Sequence, residues 1–121
     1  MNEIKTFEDA CLALGIETTL PDFSAIPEEF QKPLIAYYKI VIIAKALNEG
    51  WTPDWTNGKW DKYYPWFEMG SPSGVGFSFN GCDAWYTNSF AGSRLCFKSS
   101  ELAEYAGKQF ESLYKEYFVI E

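Results

Sequence analysis

From Leu34 to Asn48 the chain reads LIAYYKIVIIAKALN, apolar nearly all the way round a helical wheel. A helix of that kind has no face left for water, so the rest of the chain must cover it on most sides. Lys39 and Lys45 interrupt the run, which is also too short to cross a bilayer. Gly50 is placed to end it. Upstream, Pro27 followed by Glu28 and Glu29 resembles a helix start, and Pro33 either begins the main helix or kinks it. A shorter helix precedes these. Thr6 has the character of an N-cap, Glu8 and Asp9 suit the positive first turn, and Gly15 is a stop signal. Phe7, Cys11 and Leu14 then share one face, which makes Cys11 a packing residue.

Beyond Gly50 the punctuation changes. Asn57-Gly58 and Asn80-Gly81 are both the preferred pair for a two-residue hairpin turn. With Asn80 and Gly81 as the turn, Phe79 faces Cys82, Phe77 faces Ala84 and Val75 faces Tyr86, all on one apolar side of a ribbon. Strands near Lys62–Met69, Gly74–Asn80, Asp83–Ser89 and Arg94–Lys98 then form an antiparallel meander of three to four strands. Ser99 or Ser100 caps a final helix whose Leu102, Ala106, Phe110, Leu113 and Tyr117 recur at helical spacing. Glu104 with Lys108 and Glu111 with Lys115 form favourable pairs on the opposite side. Gly107 costs this helix stability, which points to a close approach by a neighbouring element. The expectation is one α+β domain over residues 1–121: N-terminal helices, the meander, and a C-terminal helix on one face of the sheet.

Four of the five tryptophans lie in WTPDWTNGKWDKYYPWFEM, from Trp51 to Met69. Folding a chain of 13.9 kDa removes roughly 13,000 Å² from water. The ten Phe, eight Tyr and five Trp need roughly 3,500–5,800 Å² of that, at about 150–250 Å² each. Most of the rings can therefore be internal. With Asn57-Gly58 as a turn, Trp55 lies across from Trp60, a cross-strand clasp worth about 0.5–1.5 kcal/mol beyond its buried area. Pro53 limits the first strand of that hairpin. The competing reading is a recognition surface, with Trp51, Trp55, Trp60 and Tyr63 as its hot spot. Asp54, Asp61 and Glu68 beside these rings disfavour nucleic acid and leave a sugar or a protein as the occupant.

Chemistry is thinly represented. The chain has no histidine, which removes the commonest general base. Cys11, Cys82 and Cys96 are widely spaced, odd in number and without a C-x-x-C, so a disulfide framework or zinc site is not expected. Cys82 beside Asp83 has no neighbouring cation to activate it and points to the core face in the register above. Asp54 and Asp61 are a pair that chance readily supplies among 17 acids. GSPSGVG, from Gly70 to Gly76, lacks the Lys-Ser/Thr ending of a phosphate loop and reads as a hairpin connection. No catalytic residue, metal ligand or cofactor is expected. A net charge of -7 with scattered cations argues against binding nucleic acid or anionic membrane. The N-terminal MNEIKTFEDACLALG carries acids where a signal peptide needs a basic start, so a cytoplasmic protein with reduced thiols is expected.

The segments LNEGWTPDWTNGKWDKYYPWFEM and GSRLCFKSSELAEYAGKQFESLYK, with TFEDACLALGI near the start, resemble a group of small uncharacterised proteins of bacteriophages and prophage-like elements of gut bacteria. The resemblance spans nearly the whole chain, with the three blocks in the same order. It implies a mobile-element origin and a bacterial host cytoplasm, and it carries over no catalytic or ligand-binding residue. A non-enzymatic accessory protein that binds another protein follows as the expectation. An aromatic-lined binder of carbohydrate or another small molecule is one alternative. The other is an acidic inhibitor imitating nucleic acid through Glu101, Glu104 and Glu111, although Lys108 and Lys115 interrupt that stripe.

Overall fold

A computed structural model describes residues 3–52, 62–69, 76–85 and 92–120, with backbone alone at 62, 66 and 83–85. It contains α1 (Phe7–Leu14), α2 (Glu28–Asn48), β1 (Lys62–Glu68), β2 (Ser78–Trp85), α3 (Ser100–Gln109) and α4 (Glu111–Phe118). The architecture is α+β, with helices packed on a small antiparallel sheet.

Local chemistry sets the ends of α1. The Thr6 hydroxyl accepts from the Asp9 N–H at 3.1 Å, and Asp9 Oδ2 accepts in return from the Thr6 N–H at 3.2 Å and the Lys5 N–H at 3.0 Å. Gly15 turns left-handed at φ 69° and donates back to the Cys11 and Leu12 carbonyls. This reciprocal box satisfies helix-end groups that would otherwise need water. Thr6→Ala should therefore lower stability by about 1 kcal/mol, read as a shift of the urea midpoint with an unchanged slope.

The long helix is central, as its apolar surround requires. Ala36, Ile40, Ile42, Ile43, Ala44, Ala46 and Leu47 are all buried, with α1, α3 and α4 packed against α2. Pro27 is its N-cap and Pro33 lies inside it, leaving one main-chain bond unmade within an otherwise continuous helix. The reversal at its end begins one residue before the expected glycine. Glu49 is left-handed at φ 51°, and Gly50 follows at φ 87°.

The sheet corrects the hairpin expected at Asn80-Gly81. Neither residue has a positive φ, which a type I′ turn requires of both. They lie inside β2, which pairs antiparallel with β1: Phe79 faces Phe67, Gly81 faces Trp66, Cys82 faces Pro65 and Ala84 faces Tyr63. Asn80 is the extra residue of a bulge between those partners. The two strands expected at 74–80 and 83–89 are thus one strand where the structure describes them. Running straight through lets β2 pair along the full length of β1, a non-local gain that outweighs the local turn preference. Asn80 Nδ2 donates to Glu68 Oε1 at 2.6 Å near the bulge. The Asn57-Gly58 hairpin lies outside the described residues.

A third strand touches the other edge of β1 at one pair. The Tyr63 N–H donates to the Phe97 carbonyl at 3.1 Å, and the Phe97 N–H donates to the Tyr63 carbonyl at 2.6 Å. Two residues further along β1, the same edge meets Pro65, which has no N–H to continue the ladder. Phe97 itself is fully buried.

The single C-terminal helix expected from periodicity is two. Phe110, at φ -114° and ψ 28°, separates α3 from α4. The break lets α3 lie on both strands while α4 turns onto α2. It also shifts the buried stripe to Leu102, Ala103, Ala106, Phe110 and Tyr114, leaving Leu113 and Tyr117 half-buried.

Candidate protein-binding surface

The four rings expected to form a hot spot do not share one described environment. Trp55 and Trp60 lie outside the described residues. Tyr63 is held in β1 between Phe97 and Ala84, half-buried against the core. Trp51 is fixed beyond α2 by its N–H donating to the Asn48 carbonyl at 3.0 Å. It lines an open cleft of about 500 Å³ with Lys45, Asn48, Ser93 and Arg94. Asn48 lies between these two settings. Its amide donates to the Cys96 carbonyl at 3.0 Å and accepts from the Lys98 N–H at 3.1 Å. Both rings are half-buried, but Trp51 lines the cleft whereas Tyr63 packs against the core.

Several rings beyond the tryptophans join secondary-structure elements. Phe67 of β1 stacks on Phe77 at 4.9 Å and 18° and meets Phe79 edge-on at 6.0 Å. From α4, Tyr114 and Phe118 reach it at 4.9 and 5.8 Å. Tyr37 of α2 packs on Tyr117 of α4 at 5.4 Å. Each such pair adds about 0.5–1.5 kcal/mol beyond area burial. The Tyr114 hydroxyl is so enclosed that burial drives its pKa far above the ordinary tyrosine value.

At one end this cluster is left uncovered. Phe118, packed on Phe67 along one side, is 45% exposed; Phe30 at the start of α2 is 50% exposed and Ile120 is 91% exposed. These three, with Pro33, Tyr117 and Val119, line an open groove of about 670 Å³ between the first turns of α2 and the end of α4. Glu28, Glu29 and Glu116 edge it. The sequence reading passed over this groove. Its one visible signal is FVI after Lys115-Glu116-Tyr117, an apolar run continuing past the expected helical stripe.

The thiols offer little chemistry. Cys11 and Cys96 are buried and Cys82 is half-buried. Burial, with Glu8 adding repulsion, pushes the Cys11 thiol above its ordinary pKa and away from the reactive thiolate. Among the described residues no group of three or more His, Cys, Asp or Glu side chains is arranged to hold a metal ion. None of the described helices is long and apolar enough to cross a membrane. No protein-family profile, curated protein or solved structure matches the chain.

Proposed function

We propose that this chain is a non-enzymatic accessory protein of a phage or prophage-like element, working in the host cytoplasm by binding another protein. The exposed apolar groove formed by Phe30, Phe118 and Ile120 carries this reading. Large rings and branched chains left facing water at one place are the usual raw material of an interface hot spot. Trp51 adds a half-open indole at the Lys45–Arg94 cleft. The resemblance noted in the sequence supplies the biological setting.

Affinity capture from a bacterial host lysate tests the reading. Wild-type protein should retain a defined host protein that a Phe30→Ser/Ile120→Ser variant with an unchanged circular dichroism spectrum does not. The same protein captured equally by both would remove the groove from the function. A lysate yielding no specific partner for wild type would remove protein binding altogether.

A further inference from the structure

Resting on that reading, we infer that the α2–α4 groove takes a cationic amphipathic helix: a segment with large apolar side chains on one face and Lys or Arg along its margins. The apolar half of the recognition comes from the floor. Phe30, Phe118 and Ile120 are its exposed apolar side chains, and Phe118 has its inner side fixed against Phe67, Tyr114 and Tyr117. Phe118, anchored on its inner side, loses little side-chain freedom when covered, which favours binding. An amphipathic helix laid into such a groove presents anchors three or four residues apart.

The charged half comes from the rim. Glu28, Glu29 and Glu116 stand at the groove, and its one basic lining residue, Lys32, already has a partner within the chain. The end of α4 faces the same way. The C-terminal carbonyls of a helix carry partial negative charge, and the last turn of α4 runs directly into Val119 and Ile120 of the lining. Two acids already sit in the first turn of α2, at Glu28 and Glu29, and offset its positive end. The described lining thus carries three acids against one lysine, with the carboxyl end of α4 adding to the negative side. That excludes phosphate backbones and anionic lipid as occupants. It also disfavours a second copy, since a chain of net charge -7 would bring acid against acid.

The test uses three fluorescein-labelled synthetic peptides: a helical Leu/Lys repeat, the same composition with the amphipathic order scrambled, and a Leu/Glu repeat. Fluorescence anisotropy against the whole chain should show saturable binding of the Leu/Lys helix, affinity lower by about tenfold or more for the scrambled peptide, and no binding of the Leu/Glu repeat. Glu28→Lys/Glu116→Lys and Phe30→Ser/Ile120→Ser should each weaken the Leu/Lys helix by about tenfold or more. Glu101→Lys/Glu104→Lys, an equal charge change on α3, should leave it within about twofold, because neither residue lines the groove and exposed charges away from it are screened by salt. Equal weakening by the two charge-reversal variants would mean that net charge alone attracts the peptide, and would overturn the inference. So would failure of the Leu/Lys helix to saturate, or indifference to Phe30→Ser/Ile120→Ser. If the peptide results fail while the lysate partner is still lost from Phe30→Ser/Ile120→Ser, the protein-binding reading stands and the cationic-helix inference falls.

Discussion

Asn48→Asp is expected to destabilise the protein by about 3–5 kcal/mol at neutral pH, with the loss shrinking as the pH is lowered. Asn48 is the buried polar side chain of α2. Its amide acts as a stand-in for a neighbouring strand. Phe97 directs its N–H and carbonyl to Tyr63 of β1, and the flanking Cys96 carbonyl and Lys98 N–H, which point the other way, are taken by Asn48. One side chain thus closes the outer edge of the third strand and fastens it to the end of the central helix. An aspartate in the same place can still accept from the Lys98 N–H. Its second oxygen, however, faces the Cys96 carbonyl as acceptor against acceptor, and its charge is buried. Both effects raise the folded-state pKa of the introduced carboxyl above its unfolded value of about 3.9. The variant is then closest to wild type below that unfolded value, where the protonated acid can donate to Cys96, and it loses stability as pH rises through the folded value. Asn48→Ala should cost about 2–6 kcal/mol by orphaning two main-chain groups, each worth about 1–3 kcal/mol. That loss should not depend on pH over the same range. Urea melts from pH 3.5 to 7.5 distinguish the two variants, and parallel curves for Asp and Ala would contradict the shared-amide geometry.

The role of Asn48 was illegible in the sequence for a physical reason. Its partners are 48 and 50 residues away, and a polar residue at the end of an apolar helix looks like an ordinary solvated terminus. By contrast Thr6, Asp9 and Gly15 could be read because their bonds close within a few residues. The Leu34–Asn48 helix could be read because burial on most sides leaves its mark on every turn. Asn80-Gly81 shows where local reasoning loses. The pair does favour a tight turn, yet β1 offers a partner along its whole length, and the chain accommodates the pair as a bulge instead. The break at Phe110 has the same origin, since nothing within Ser100–Phe118 forbids a continuous helix. What divides it is that α3 must cover the strands and α4 must cover α2. The groove escaped notice because an apolar residue becomes a surface feature only through what fails to pack over it. Of the expected hot spot, Trp51 lines a cleft and Tyr63 packs on the core, a difference the sequence could not show because the setting of Tyr63 depends on the distant Phe97.

Gly107→Ala is expected to destabilise the protein by about 1–3 kcal/mol, although in an isolated helix the same change would gain about 1 kcal/mol. The opposite sign is the informative part. A methyl group at position 107 would run into the ring of Phe79 and come within 2.9 Å of Pro65 Cβ. Neither neighbour is free to yield. Pro65 is a rigid ring in the middle strand, opposite Cys82. Phe79 is held in several ways: its N–H donates to Glu111 Oε2 at 2.6 Å, its ring meets Phe67 edge-on, and Lys108 Nζ lies 5.7 Å from the ring centroid. Relieving the overlap means lifting α3 off both strands, which would loosen the contact that seats the sheet on the helices. Gly107→Val should therefore cost more than Gly107→Ala, by overpacking and by its poorer helix propensity together. Phe79→Ala should behave as a partial suppressor. It removes the obstructing ring, so the cost of adding the 107 methyl in that background should fall by about 1 kcal/mol or more relative to wild type. A double-mutant cycle by urea denaturation measures this coupling directly. Additive losses would mean that the methyl and the ring do not meet, and that the α3–sheet contact is looser than the described geometry requires.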